Sequence, residues 1–401
     1  MQAQVTCKFS QTQERTGVSP RYTTQVFSIG VFSDFVYNAA LAGAGCARLH
    51  LKGYIMTPST DPWTLQELQT ADLGDPRLNE RFQMILEAFA DRPQASIPAA
   101  SGGRAELEAA YRFCDNKKVT PEKLLQPHFH ATTERCKKQK VVLCPQDTSE
   151  LDFTRPAQQV QGAGPLDGTS RRGAFLHLTE AFTEDGTPLG AIHATLWSRE
   201  MPDDTQPKLS KTEKRKQCRA LPIEQKESIR WLEGIRTTQQ LAEECPDTLC
   251  VSLSDSEGDI YELFAEPRTT DNFHWIVRAC QNRQVLGTQR DTTSKIRETL
   301  LQEPVLLTNE ISVRGRDQKV SCETRPRRTT RISRQAMVEV RACAVTIKAP
   351  KSYKGNVASK TVHVVLVFEP HPPADEHAIE WILLTTLPIS TLEEVCTVIH
   401  Y

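Results

Sequence analysis

Two short apolar runs, each leading to an aspartate, constrain the fold of this 401-residue chain more than any other feature. Residues 141–144 lead to Asp147, and residues 250–254 lead to Asp255. An apolar run of this length predicts a buried strand. We therefore expect each aspartate at or just past the end of a strand, where a carboxylate is suited to hold a divalent cation. Two structural alternatives stay open, an Asx turn for Asp147 and a helix-start acid for Asp255.

Size and composition predict a cytoplasmic protein of two or three domains. The 38% hydrophobic content is enough for a sizeable core, and the net charge of −1 does not mark the whole chain as a polyanion binder. Twelve cysteines contain no Cys-x-x-Cys pair, which disfavours a zinc ribbon and indicates reduced thiols.

Residues 1–55 differ in character from the rest. The segment from Val26 to Ala47 is apolar, but Asp34 interrupts it and the uninterrupted runs are too short to span a bilayer. We expect residues 1–55 to be disordered or a non-native extension, and we expect no membrane association.

Residues 56–138 predict a small helical domain. Leucines and phenylalanines recur at helical spacing from Trp63 onward, and Thr120 with Pro121 is typical of a helix start. Arg77 and Arg81 lie one turn apart on the polar face. These charges are typical of a solvated face or of DNA contact, and the pattern alone favours the solvated face. His128 is expected to be structural.

The rest of the chain alternates strands and helices. A hairpin is predicted after Asp147, residues 206–219 form a predicted basic loop, and Ser254 is expected to cap a helix over residues 259–264. Residues 301–375 read as a β insertion, in which an arginine-rich segment could grip DNA phosphates or be surface charge. Its candidate DNA contacts are Arg325, Arg327 and Arg328.

The order of these elements is that of an RNase-H-like α/β core. Residues 139–300 would form the first part of its mixed sheet, and residues 376–401 would supply a core strand and the start of a final helix. The fold class predicted is therefore α/β, an RNase-H-like mixed sheet with a β-strand insertion, preceded by a small all-helical domain for which DNA binding is an open alternative to a solvated surface.

Several motifs together resemble the DDE transposases of bacterial insertion sequences, in the branch with a β insertion. They are Leu73-Gly74-Asp75-Pro76-Arg77, Ala109-Ala110-Tyr111-Arg112-Phe113, Gln146-Asp147-Thr148-Ser149, Asp255-Ser256-Glu257-Gly258-Asp259-Ile260, Trp275-Ile276-Val277-Arg278 and Trp381-Ile382-Leu383-Leu384-Thr385-Thr386. The resemblance covers most of the span from Trp63 to Tyr401.

The resemblance implies a catalytic function for the two aspartates. Asp147 and Asp255 would bind Mg²⁺, with Mn²⁺ as a substitute, for cut-and-paste cleavage at transposon ends and strand transfer into target DNA. Arg112 and Arg278 would contact DNA, and Trp381 could stack on an unpaired base or be a buried strand residue. The resemblance also implies a homodimer on paired ends.

The third motif of the family, Tyr-x-x-Arg-x-x-x-Glu, is expected to begin at or just after Tyr401. We therefore expect the 401-residue chain to be truncated before its catalytic glutamate and to be inactive. The alternative function is that of a truncated, non-catalytic DNA-binding protein or an inhibitor of a full-length transposase.

Overall fold

The computed structural model describes residues 63–154, 160, 162–167, 170–201, 210–286, 293–315, 332–374 and 376–401. Two compact units divide the chain: Met1–Ser210 with Arg236–Cys250, and Lys211–Ile235 with Val251–Tyr401. The architecture is mixed α/β with helices near the N-terminus and mostly antiparallel strand pairing. This confirms the α/β class, whereas the predicted extension over residues 1–55 lies outside the described residues.

The first unit begins with a helical segment, as the sequence predicts. Its helices are α1 (Trp63–Glu67), α2 (Pro76–Asp91), α3 (Ile97–Ala100), α4 (Arg104–Cys114) and α5 (Pro121–Cys136). Asp75 and Thr120 cap α2 and α5, and a proline follows each cap as the first helical residue. The apolar stripe of these helices forms one core, whose fully buried members include Leu73, Phe82 and Leu86.

The strands of the first unit pair around one central strand. They are β1 (Val141–Asp152), β2 (Gly164–Pro165), β3 (Arg172–Thr183) and β4 (Pro188–Trp197). Strand β3 pairs antiparallel with β1, with β4 and with β2. The predicted hairpin after Asp147 is thus present as β3 and β4.

Helix α5 approaches β4 closely at Gly190. A Cβ atom at Gly190 would lie 2.4 Å from Thr132 Oγ1, and its φ of 129° also favours glycine. Buried Glu67 and His128 form a hydrogen bond at this contact, and Arg135 donates to Glu67 Oε2 (2.8 Å) and to Leu189 O (2.6 Å). This network fastens α1 to α5 and to β4, and it accounts for His128 as a structural residue.

The second unit contains most of the remaining elements. They are α6 (Lys211–Ala220), a 3₁₀ turn (Ile223–Gln225), α7 (Ile229–Glu244), β5 (Leu249–Ser254), a 3₁₀ turn (Ser256–Gly258), α8 (Tyr261–Ala265), β6 (Phe273–Arg278), β7 (Gln284–Leu286), β8 (Thr293–Lys295), α9 (Ile296–Gln302), β9 (Leu307–Val313), β10 (Arg334–Lys348), β11 (Ser359–Phe368), β12 (Glu380–Thr385) and α10 (Leu392–His400). The division between units falls within α7 and within β5, because residues 236–250 belong to the first unit.

The strands of the second unit follow the order β5, β6, β12, β11, β10, β7, β8, and β9 also pairs with β10. The pairs β6–β12, β12–β11 and β11–β10 are antiparallel. The middle of the sheet is apolar, since Val277, Val364 and Leu384 are fully buried. Helix α10 begins with a capping box formed by Thr391 and Glu394.

Two local predictions differ from the structure. The predicted basic loop is helical from Lys211 to Ala220, because its lysine, arginine, glutamate and glutamine residues are good helix formers. The helix predicted over residues 259–264 begins only at Tyr261, after the 3₁₀ turn capped by Asp255.

The described cysteines are free thiols. Across the described ranges, no helix is both long and apolar enough to cross a membrane.

Candidate nucleic-acid interface and acidic motifs

The start of α2 presents Arg77 to solvent. Asp75 Oδ1 accepts a hydrogen bond from the Arg77 backbone N–H (3.1 Å), and Asp75 Oδ2 lies 3.0 Å from Arg77 Nη2. These bonds from Arg77 lower the pKa of Asp75. The Arg77 side chain is 88% exposed. One acid therefore both caps the helix and orients a cation at its surface.

Arg81 and Arg112 lie on helices that the same core holds. Arg81 is half-buried on α2, and Arg112 is exposed on α4, where its Nε donates to Glu108 O (3.3 Å). Phe82 and Phe113 follow these arginines and stack at 6.1 Å between ring centroids. Because each arginine directly precedes one of these buried phenylalanines, the core contact of the two rings fixes where both cations lie. Sequence reasoning did not single out Arg104, which is 91% exposed at the start of α4.

Asp147 lies in the interior of β1, which corrects the prediction that it follows the end of a strand. The strand continues to Asp152, because residues 146–152 pair with β3 and Asp147 lies opposite Leu178. The apolar run stops earlier, so hydrophobicity alone underestimates the strand length. Asp147 is exposed, and its Oδ1 accepts a hydrogen bond from the Thr148 backbone N–H at 2.7 Å.

The two neighbours of Asp147 bind one buried histidine. His177 is fully buried on β3, with Nε2 3.0 Å from Gln146 Oε1 and Nδ1 2.8 Å from Thr148 Oγ1. Successive side chains of a strand point to opposite faces. The bonds to His177 therefore hold Gln146 and Thr148 on one face and leave Asp147 on the other. Sequence reasoning missed His177, since an isolated histidine within an apolar strand carries no distinctive signal.

Asp255 caps the 3₁₀ turn that follows β5. It is exposed, and its Oδ1 accepts a hydrogen bond from the Glu257 backbone N–H at 2.7 Å. The helix-start alternative for this aspartate is therefore present in the structure. Four residues later, Asp259 is fully buried and bound to Arg283.

The register of β6 and β12 puts Arg278 and Trp381 on one face of the second unit's sheet. Arg278 lies opposite Leu383, and Trp381 is two residues from Leu383 along β12. Residues two apart in a strand share a face, and a diagonal cross-strand pair is about 7–8 Å apart. Arg278 is exposed at the end of β6 and Trp381 is half-buried.

The arginine-rich segment is only partly described. Arg325, Arg327 and Arg328 lie outside the described residues. Arg334 is engaged internally, because its guanidinium binds Glu369 (2.6 Å) and Glu376 (2.9 Å). These carboxylates raise the pKa of Arg334.

The acidic motifs supply hard oxygen donors of the kind that Mg²⁺ prefers. Asp147 and Asp255 are both exposed carboxylates, and each has one oxygen oriented by a backbone N–H, so their chemistry fits the ion. Asp147 belongs to the first unit and Asp255 to the second. Within the described part of the chain, no group of three or more histidine, cysteine, aspartate or glutamate side chains is arranged to hold a metal ion.

A family model described as "Transposase DNA-binding" matches residues 60–119. The matched residues include α1 to α4, and therefore Arg77, Arg81 and Arg112. The match supports a relation to transposases and identifies DNA as the partner of this helical segment.

Proposed function

We propose that this chain is a DDE-type transposase with an RNase-H-like core, acting on transposon ends and target DNA. The observation that carries the proposal is the transposase DNA-binding match over residues 60–119. The finer assignment rests on the resemblance of the two acidic motifs and on the exposure of Asp147 and Asp255.

In this proposal, the cations on α2 and α4 bind the DNA backbone. Arg77 is held by Asp75, and Arg112 is exposed on the next long helix of the same core. Charge contacts to phosphates are independent of base sequence and weaken as salt rises. They position the duplex, while Arg278 and Trp381 extend the contact surface in the second unit.

Asp147 and Asp255 are the proposed ligands of Mg²⁺, which supplies activation of the attacking water or 3′-hydroxyl and stabilisation of the leaving oxygen. The protein's own contribution is orientation. The backbone N–H of Thr148 fixes one oxygen of Asp147, and the backbone N–H of Glu257 fixes one oxygen of Asp255. The buried bonds from Gln146 and Thr148 to His177 further restrain the strand that carries Asp147.

We also propose a homodimer on paired ends, as the resemblance implies.

The test combines metal binding, DNA binding and cleavage. Mn²⁺ titration followed by electron paramagnetic resonance measures the metal site without turnover, and nicking is followed on DNA carrying the boundaries of the encoding element. We expect Asp147→Asn and Asp255→Asn each to weaken Mn²⁺ binding while DNA affinity is kept. Asp247→Asn, which changes an exposed aspartate outside both motifs, is the matched control.

The outcomes separate the proposal from its alternative. DNA binding without any Mn²⁺ binding that depends on Asp147 and Asp255 would favour a non-catalytic DNA-binding protein. A chain that does not bind duplex DNA would refute both. Nicking that persists in both Asp147→Asn and Asp255→Asn would refute the catalytic role of the two aspartates.

A further inference from the structure

The second acidic motif contains two aspartates in opposite environments. Asp255 is exposed, whereas the side chain of Asp259 is 0% exposed and that of its partner Arg283 is 7% exposed. A charge as buried as that of Asp259 is tolerated only when hydrogen bonds and an opposite charge replace water. The partners of Asp259 therefore indicate what it holds in place.

Among the described residues, the partners of the Asp259 carboxylate all lie in the segment that begins at the last residue of β6, which we call the Arg278 loop (residues 278–283). Asp259 Oδ2 accepts hydrogen bonds from the backbone N–H groups of Cys280 and Gln281, both at 2.8 Å. Asp259 Oδ1 accepts from Arg283 Nε (2.9 Å) and Nη2 (2.6 Å). A single carboxylate thus binds the loop at three successive places.

Both ends of the Arg278 loop are also fastened. At its start, Ala279 N donates to Ile382 O (2.8 Å), which continues the pairing with β12 by one residue. At its end, Arg283 O accepts from Ile296 N (3.0 Å) at the beginning of α9. The Arg283 guanidinium lies over the buried Phe264 ring at 5.2 Å from the centroid. The backbone of the loop is therefore hydrogen-bonded at Ala279, Cys280, Gln281 and Arg283.

The exposed side of the same loop carries Arg278. Residues 280–282 are exposed as well, and no ion pair of Arg278 occurs with any described residue. A guanidinium on a fixed backbone loses less conformational freedom on binding a phosphate than one on a mobile loop. Arg278 is thus an exposed cation at the start of a loop whose backbone buried Asp259 holds in place.

We propose that Asp259 is the positioning residue of the Arg278 loop and that the loop binds the DNA phosphate backbone through Arg278. The inference rests on the proposed function, because it takes DNA as the ligand. It assigns separate roles to the two aspartates of one motif: Asp255 faces solvent as a metal ligand, and Asp259 links the turn carrying Asp255 to the loop carrying Arg278.

Long-range electrostatics and loss of positioning predict opposite changes in DNA affinity for the substitution Asp259→Asn. Asp259→Asn removes a negative charge, so charge alone would strengthen the binding of DNA. It also removes the ion pair with Arg283 and weakens the acceptor for two backbone N–H groups, so loss of positioning would weaken binding. The sign of the change in affinity therefore separates the two effects.

The experiment is a double-mutant cycle on duplex DNA of random sequence, with fluorescence anisotropy measured over a range of salt concentrations. Random sequence is suitable because phosphate contacts carry no base specificity. We expect Arg278→Ala to flatten the slope of log K against log salt by about 0.9, as loss of one phosphate contact requires. We expect Asp259→Asn to weaken binding in the wild-type background and to have no further effect in the Arg278→Ala background.

Glu369→Gln is the matched control, because Glu369 is also a buried carboxylate that binds an arginine, Arg334, and accepts a backbone N–H, that of Ile379. Its effect on DNA binding should be the same with and without Arg278. Unchanged or tighter binding by Asp259→Asn, or an equal loss in both backgrounds, would overturn the inference while leaving the proposed function in place. Absence of DNA binding by the wild type would refute both.

Hydrogen exchange of the wild-type protein provides a measurement that does not depend on folding of the variant. The amides of Cys280 and Gln281 should exchange slowly although both residues are exposed, because Asp259 accepts their hydrogen bonds. Exchange as fast as that of the exposed Gly102 amide would contradict the positioning role.

Discussion

Acid is expected to loosen the attachment of the transposase-like helical segment through His128. The ring is 1% exposed; its Nδ1 is bonded to Glu67, and its Nε2 accepts the Ala191 backbone N–H at 2.9 Å. Because Nε2 accepts, the folded ring is neutral with its proton on Nδ1. Burial, opposed by Glu67, lowers the pKa of His128 from 6.5. Protonation would therefore replace the bond to Ala191 with two facing N–H donors.

The sign of the stability change follows from linkage. Since the pKa is lower in the folded state, the unfolded chain takes up the proton first, and stability falls as pH drops below about 6.5. Between about pH 7.5 and about pH 5 the loss is at most about 2 kcal/mol, the value for a folded ring that stays neutral throughout. Glu67 acts only at lower pH: although burial would raise its pKa, hydrogen bonds from His128 and Arg135 lower it. The stability that ionised Glu67 contributes is present above the pKa of Glu67 in the unfolded chain, and it is lost in stronger acid.

Urea unfolding at a series of pH values measures this effect. His128→Gln should flatten the pH dependence of the free energy of unfolding relative to wild type, by up to about 2 kcal/mol over the same interval. His130→Gln is the matched control, because His130 is exposed on the same helix. If His128→Gln kept the full pH dependence of the wild type, the assignment of a buried neutral ring would be wrong.

Two further predictions concern the turns and strands around the acidic motifs. A Cβ at Gly258 would lie 2.6 Å from Ser254 Cβ and 3.1 Å from Trp231 Cε3, so Gly258→Ala should destabilise the protein by about 1–3 kcal/mol in urea unfolding. Gly102→Ala, where a Cβ meets nothing within 4 Å, should be nearly neutral, and equal effects would refute the steric argument. His177→Ala removes two buried hydrogen bonds beside Asp147 and should cost about 2–4 kcal/mol and weaken Mn²⁺ binding. Unchanged Mn²⁺ affinity would show that His177 does not position Asp147.

The sequence was sufficient for elements that depend on local signals. The starts of α2 and α5 follow from Asp75 and Thr120 with a proline after each, and the capping box of α10 follows from Thr391 and Glu394. In these cases the cap, the first helical residue and the apolar spacing all lie within one turn. No distant contact is needed to define them.

The sequence was insufficient where partners from distant parts of the chain decide the structure. Strand β1 extends past Asp147 because β3 supplies hydrogen-bonding partners as far as Gly173, although the apolar run has already ended. The basic segment from Lys211 to Ala220 was predicted as a loop because its charge dominated the pattern, yet its residues have high helix propensity. Hydrophobic pattern and backbone preference are separate signals, and here they disagree.

The two aspartates of the second motif show that distant partners also decide functional roles, which the local sequence cannot reveal. Asp255 and Asp259 are identical residues four positions apart, and each lies near a turn, so local pattern cannot assign them different roles. The difference comes from residues 280–283, which reach Asp259 and leave Asp255 exposed. A carboxylate available to a metal must keep oxygen atoms accessible, whereas a carboxylate that accepts four hydrogen bonds in a buried site stabilises what surrounds it. In the proposed assignment, the loop after β6 therefore decides which aspartate is the metal ligand and which is the positioning residue, and a substitution in that loop should alter the role of the motif without changing the motif itself.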